Sequence, residues 1–191
     1  MLDLLHDHLF DALWCLWLVY WFIAAFGGKA VQRRESFASR VGHFGPLILA
    51  GYLLGADHLP GGFLCGRAWP SSEGVFWTGA GLLTAGLLFS VWARVHLGGN
   101  WSGSVTVKED HELVRTGPYG LARHPIYTGL LLGFIGSALS RAEWRGVLAV
   151  LIVLAALWRK LRLEERWMGE VFGEAYADYK REVAALVPFL L

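Results

Sequence analysis

Five apolar runs alternate with charged connections along the chain. The first, roughly Leu9–Phe26, is dense in Trp and Leu, and the second, about Phe44–Leu59, is weakened near its end by Asp57 and His58. The third, Val75–Leu97, is long and rich in small residues, and Gly79, Gly81 and Gly86 predict close approach of a neighbouring helix. The fourth and fifth, about Pro125–Leu139 and Gly146–Trp158, are short and joined by the tight connector Ser140–Arg145, which reads as a helical hairpin. A bilayer core of about 30 Å asks for about 20 mostly apolar residues per helix. The pattern therefore predicts an all-α, polytopic integral membrane protein of about five transmembrane helices. Beyond Trp158 the helical period continues through Arg159 to about Val171, and Gly173 ends it. A further helix over Glu174–Val183 carries Tyr176, Tyr179 and Val183 at helical spacing, and Pro188 follows.

Charge orients this arrangement. Lys29, Arg33, Arg34 and Arg40 lie in the first connection, Lys108, Arg115 and Arg123 in the third, and Arg159, Lys160, Arg162, Arg166, Lys180 and Arg181 in the tail. The opposite connections hold only Arg67, Arg141 and Arg145. The positive-inside rule then places the N-terminus outside and the C-terminal half on the cytoplasmic face. Composition agrees: of 191 residues 55% are hydrophobic and only 17% charged, with a mean hydropathy of +0.43, where soluble domains carry about 25% charge. The ten Trp, eleven Phe and six Tyr suit interfacial aromatic belts. A net charge of +1 gives no reason to expect nucleic acid. Cys15 and Cys65 form neither a disulfide framework nor a metal cluster. Asp3, Asp7 and Asp11, without a Lys or Arg, precede or open the first run, so it is expected to be a permanent helix and not a cleaved signal.

The most informative segment is Gly117-Pro118-Tyr119-Gly120-Leu121-Ala122-Arg123-His124-Pro125-Ile126-Tyr127. Gly-Pro favours a turn, His124 is pushed out of helical conformation by the following proline, and Pro125 suits the first position of the fourth helix. Arg123 and His124 are thus expected at a helix N-terminus on the cytoplasmic side. Exposed N–H groups, the helix dipole and a guanidinium fork favour a carboxylate or phosphate there. An interfacial Arg that snorkels and a His that caps account for the same pattern, and the residues leave both readings open.

On the fifth helix Leu157, Leu161, Glu164, Met168 and Val171 share one face. Glu164 interrupts that apolar stripe, while Glu165 shares a face with Trp158 and Phe172. A carboxylate on a packed face needs a partner: Lys160 one turn earlier, or a cationic ligand such as a sulfonium or an α-amino group. The run Gly98–Gly103 lacks GxGxxG spacing and reads as a loop. Val105–Val114 alternates enough to predict an extended stretch offering backbone groups to a ligand. His43, His58 and His96 lie near membrane boundaries. No His, Cys and carboxylate spacing points to a metal, no nucleophile signature is present, and no general base is evident.

The stretch HELVRTGPYGLARHPIYTG over 111–129, followed by Glu164-Glu165 and then FGEAYADYKREV over 172–183, closely resembles the isoprenylcysteine carboxyl methyltransferase family, which also contains phospholipid N-methyltransferases. The resemblance covers about residues 95–191, so 1–97 reads as three N-terminal helices and 98–191 as the methyltransferase core. It implies an S-adenosylmethionine pocket at the cytoplasmic membrane face. His111, Glu112, Leu113 and Val114 would line its adenosine side, Tyr119, His124, Pro125, Ile126 and Tyr127 would continue it, and Glu164 would close it from the fifth helix. Arg123 and Glu165 are assigned to the catalytic centre. Lys160, with Arg159 and Arg162 beside it, stands where the family uses a basic residue, an Arg, to meet the substrate carboxylate. Arg and Lys are not interchangeable at bidentate sites. The expected acceptor is lipid-like or prenylated and enters from the membrane lipids. An already ionised nucleophile, a carboxylate, is favoured because it needs no base. The competing readings are a sterol-reductase-like membrane enzyme that uses NADPH, and a non-catalytic membrane scaffold.

Overall fold

The computed structural model describes residues 2–26, 31–56, 59, 62–108 and 112–187. Six helices carry the fold: α1 (Leu2–Ala24), α2 (Phe37–Gly55), α3 (Glu73–Leu97), α4 (Pro125–Arg141), α5 (Trp144–Phe172) and α6 (Glu174–Glu182). Two short strands, β1 (Val31–Arg34) and β2 (Thr106–Lys108), pair antiparallel. The expected extended stretch is therefore β2 in part, and its partner β1 comes from a connection that shows no strand signal in the sequence.

Several boundaries have visible causes. α2 starts seven residues before its apolar run because the Ser36 hydroxyl accepts the Ser39 N–H at 3.2 Å and caps the helix. Ser72 caps α3 in the same way through the Val75 N–H. The α4–α5 hairpin turns at Ala142, which takes the left-handed conformation at φ 56°. α5 runs unbroken to Phe172, and Gly173 at φ 54° ends it and opens α6. Asp57, His58 and Pro188 lie outside the described residues.

The tightest packing is between the antiparallel α3 and α4, where glycines face each other one heptad apart. A Cβ on Gly79 would fall 2.5 Å from the Gly136 carbonyl oxygen, and one on Gly86 would fall 2.5 Å from that of Gly129. Gly81, expected to serve the same purpose, has open space around its Cα. Gly86→Ala is expected to push the helices apart and cost about 1–3 kcal/mol, the usual range for overpacking, whereas Gly81→Ala should be neutral or slightly stabilising. Thermal unfolding of the two variants in detergent checks this contrast. α1 is fastened to the pair by indole N–H groups: Trp14 donates to the Ser137 hydroxyl at 3.1 Å and Trp17 to that of Ser90 at 2.8 Å. α5 packs against both α2 and α4 through a stripe that includes Val153, Leu157 and Leu161, all at most 1% exposed.

Large apolar side chains cover the outside. Phe22, Ile48, Leu88, Val95 and Leu151 are each at least 57% exposed, an outer surface suited to lipid. By length and composition one helix among the described residues, Glu73–Asn100, is long and apolar enough to cross a membrane, and the apolar part of α1, His8–Ala24, is shorter.

Candidate functional site

The turn Gly117–Gly120 begins with a glycine at φ 58°, where a Cβ would meet the His96 ring at 2.8 Å. The chain then reaches His124, held at φ −123° and ψ 60° by the proline that follows. Its ring stacks on Tyr127 with centroids 5.3 Å apart and planes 4° from parallel. Glu164 and Glu165 approach from α5. The Tyr127 hydroxyl donates to Glu164 Oε1 at 2.5 Å, His124 Nδ1 lies 3.4 Å from Glu164 Oε2, and Lys160 Nζ lies 3.9 Å from Glu164 Oε1. Lys160 also donates to the Gly103 carbonyl at 3.1 Å and sits 5.1 Å from the Tyr127 ring centroid.

Arg123 is engaged differently from the sequence expectation. Its Nε and Nη2 donate to Glu165 Oε1 at 2.9 and 2.7 Å, and its Nη1 donates to the carbonyls of Lys180 and Val183. Lys180 Nζ meets Glu165 Oε2 at 3.0 Å. The backbone N–H groups of Arg123 and His124 donate to Ala184 and Ala185 at 2.8 and 3.0 Å, and the Thr128 hydroxyl donates to the Leu186 carbonyl at 2.5 Å. The chain after α6 thus covers the start of α4. The fork and two of the N–H groups expected to bind an external anion hold the protein to itself.

Burial raises the pKa of the Tyr119, Tyr176 and Tyr179 phenols, that of Tyr179 to about 12, so all three remain proton donors. For His124 burial works against the charged form, but hydrogen bonding to Glu164 and Glu165 prevails and the pKa is raised. For both carboxyls burial raises the pKa, and hydrogen bonds led by His124 overcome it and leave the net value lowered. A raised His pKa contributes stability below the unfolded value near 6.5 and loses it as pH climbs through the folded value. Depressed Glu pKa values contribute above the unfolded value near 4.3 and lose it as pH falls. Both contributions are therefore greatest between about pH 4.3 and 6.5. Thermal midpoints should decline above that window, and His124→Gln should flatten the decline. Equal slopes for the two proteins would refute it.

These groups border one cavity of about 1170 Å³. Glu112, Leu113, Val114, Tyr119, Arg123, His124, Pro125, Ile126, Tyr127, Lys160 and Glu164 all line it. Glu165 stands behind the wall, 8% exposed, holding Arg123. Arg159 does not line the cavity and donates to Ser39 on α2, at 3.2 Å to its carbonyl. Arg162 is exposed on α5. His111 lies outside the described residues. The sequence reading missed two walls. Asn100–Gly103, part of the run taken as a loop, borders the polar end together with Ser104, and Asn100 is buried there. α1 and α2 supply Trp14, Trp17, Phe44, Leu47 and Ile48 along an apolar stretch of a lining that also includes Asp11 and Arg141, and nothing in one sequence shows that those helices face α4 across a gap. A polar end and an apolar stretch in a single cavity can hold a charged small molecule beside a long apolar chain.

Comparison with known proteins gives a consistent picture. Residues 75–175 match the phospholipid methyltransferase family. Protein-S-isoprenylcysteine O-methyltransferase of Saccharomyces cerevisiae is 37% identical over 90 residues, covering 44% of this chain and 36% of the yeast protein. The cobalt-zinc-cadmium resistance protein CzcN of Cupriavidus metallidurans is 36% identical over 117 residues, covering 60% of this chain and 52% of its own length. The chain spans about a third to a half of the length of these curated relatives. The solved structure of the eukaryotic intramembrane Ras methyltransferase, isoprenylcysteine carboxyl methyltransferase, superposes with a TM-score of 0.58 at 22% identity, covering 80% of this chain and 51% of that one. The two share a fold.

Proposed function

From the premise that the chain belongs to the phospholipid methyltransferase family, we propose that it is a membrane-embedded methyltransferase that uses S-adenosylmethionine to methylate the anionic head group of an apolar acceptor. The observation that carries this reading is that polar and apolar walls meet in one cavity, where Lys160 Nζ lies 3.9 Å from Glu164 Oε1 and 5.8 Å from the Phe44 ring centroid. The residues present fit the cofactor. Glu164, 23% exposed on its side chain, offers a carboxylate to a sulfonium or ammonium, and the neighbouring tyrosine rings offer π-faces to the same charge. When bound, the cofactor supplies an electrophilic methyl group, so no covalent enzyme intermediate is needed.

The protein's own work is positioning and exclusion of water. Tyr127 and His124 hold Glu164 in one rotamer. Glu165, behind the wall, and Arg123, which lines the cavity, are both assigned to the catalytic centre in the sequence; their ion pair pins the segment that carries His124. Lys160 is the cation for the acceptor, and a carboxylate head group, the kind that isoprenylcysteine carboxyl methyltransferase is named for, is its simplest partner. Arg159 and Arg162 are assigned to the basic membrane face instead. Five spans with the N-terminus outside, the arrangement that the charge pattern supports, put the polar end at the cytoplasmic face and leave the apolar stretch open to lipid.

Calorimetric titration of the purified protein with S-adenosylhomocysteine tests the reading. Micromolar binding is expected, and Glu164→Ala and His124→Ala should each weaken it by at least about tenfold, or ~1.4 kcal/mol. A folded protein that binds NADPH and ignores S-adenosylhomocysteine would be a reductase instead.

A further inference from the structure

At the foot of the β-ribbon, Glu35 and His43 form a buried pair that carboxylate methylation does not use. Both side chains are 1% exposed, and His43 Nε2 lies 3.2 Å from Glu35 Oε1. Part of this arrangement is a clip: Glu35 Oε1 accepts the Val105 N–H at 2.9 Å, and the Glu35 N–H returns a bond to the Val105 carbonyl at 3.0 Å. The clip explains neither Glu35 Oε2 nor the imidazole, whose Nδ1 and Nε2 are likewise buried without a hydrogen-bond partner. Buried polar atoms are nearly always paired, and an exception calls for an explanation such as a catalytic role. His43 borders the same cavity as Lys160 and Glu164. The charged groups facing its ring are Glu35 from the ribbon and Lys160, Arg159 and Glu164 from α5.

A carboxylate acceptor arrives ionised and needs none of this. A thiol is mostly protonated at neutral pH, even a cysteine's with its pKa near 8.5, and needs both a proton acceptor and a nearby cation to become the thiolate nucleophile. An amine also needs a base, but its ammonium form is repelled by Lys160. We propose that the cavity has a second activity, S-methylation of apolar thiols, in which His43 is the general base and Glu35 its positioning residue. The thiol S–H bond breaks and its proton passes to the imidazole. The sulfur electron pair forms the new S–CH₃ bond, while the bond between that methyl and the donor sulfonium breaks with its electron pair left on the donor sulfur. The imidazolium, facing Glu35, then returns its proton to solvent. The proposal rests on the methyl-transfer reading above.

The test uses the full chain in detergent, S-adenosylmethionine as donor, and two acceptors with the same tail, dodecanethiol and dodecanoate. The expected result is turnover of the thiol. The ratio of thiol to carboxylate rates should fall about 100-fold in His43→Gln, the lower end for loss of a general base, and should recover as pH passes the thiol's own pKa. Glu35→Gln should lower the same ratio less. Apart from activity, dodecanethiol bound to the wild-type protein should show thiolate absorbance below the free thiol's pKa, and His43→Gln should lack it. An unmethylated thiol, a ratio unchanged by His43→Gln, or absence of thiolate absorbance in the wild type each overturns the proposal. S-adenosylhomocysteine binding separates the layers: binding without thiol chemistry removes only this activity, and no binding removes the methyl-transfer reading with it.

Discussion

Arg123→Ala should destabilise the folded protein by about 3–5 kcal/mol, the cost of removing one partner from a buried ion pair. Glu165 would keep a carboxylate that is 8% exposed and lose two of its hydrogen bonds, leaving Lys180 and His124 as its remaining neighbours. The carbonyls of Lys180 and Val183 would also lose their donor. Because that donor joins α4, α5 and the chain after α6, the damage should spread to the cofactor end, and S-adenosylhomocysteine binding should fall by ~100-fold or more. Arg123→Lys should recover only part of the loss, since an ammonium cannot reproduce the planar fork. Denaturation in detergent and calorimetry measure the two effects, and an Arg123→Ala protein that unfolds like the wild type would show that the network contributes nothing.

Ending the chain after Val183 is expected to do comparable harm by another route. The segment removed contains Ala184 and Leu186, 8% and 7% exposed, and supplies acceptors to the Arg123 and His124 N–H groups and the Thr128 hydroxyl. Each buried donor left without a partner costs about 1–3 kcal/mol, and burial of the Leu186 side chain contributes about 1.5–3 kcal/mol more. The truncated protein should insert and keep its helices by circular dichroism while the polar end of the cavity opens. Hydrogen exchange at Arg123, His124 and Thr128 should rise sharply, whereas exchange in α3 should not. Unchanged protection at those three residues would refute the capping role of this segment.

How much of this was legible in the residues depends on range. Periods of apolar residues placed the helices, and Gly173 and the Gly117-Pro118 and His124-Pro125 pairs placed breaks, because these are local steric effects that act on any chain. The apolar exterior follows from composition for the same reason. Glu164 could be singled out because a carboxylate breaking an apolar stripe is visible one helix at a time. The start of α2 was missed although its signal is local: Ser36 caps the helix through the Ser39 N–H, seven residues before the apolar run begins. The role of Arg123 was not legible. Alone it reads as a fork for an external anion, and only the approach of Glu165 on α5 and of Val183 beyond α6 turns it inward.

The sequence by itself determined the helical elements, the turn before α4 and the residue types at the polar end of the cavity. Only the tertiary structure decided which groups meet. It closed Glu35 onto the Val105 backbone across the ribbon, brought Gly103 against Lys160, and set α1 and α2 across an apolar gap from α4. Each of these contacts joins segments far apart in the chain. Their energies depend on distance and burial in three dimensions, and local propensity carries no record of either.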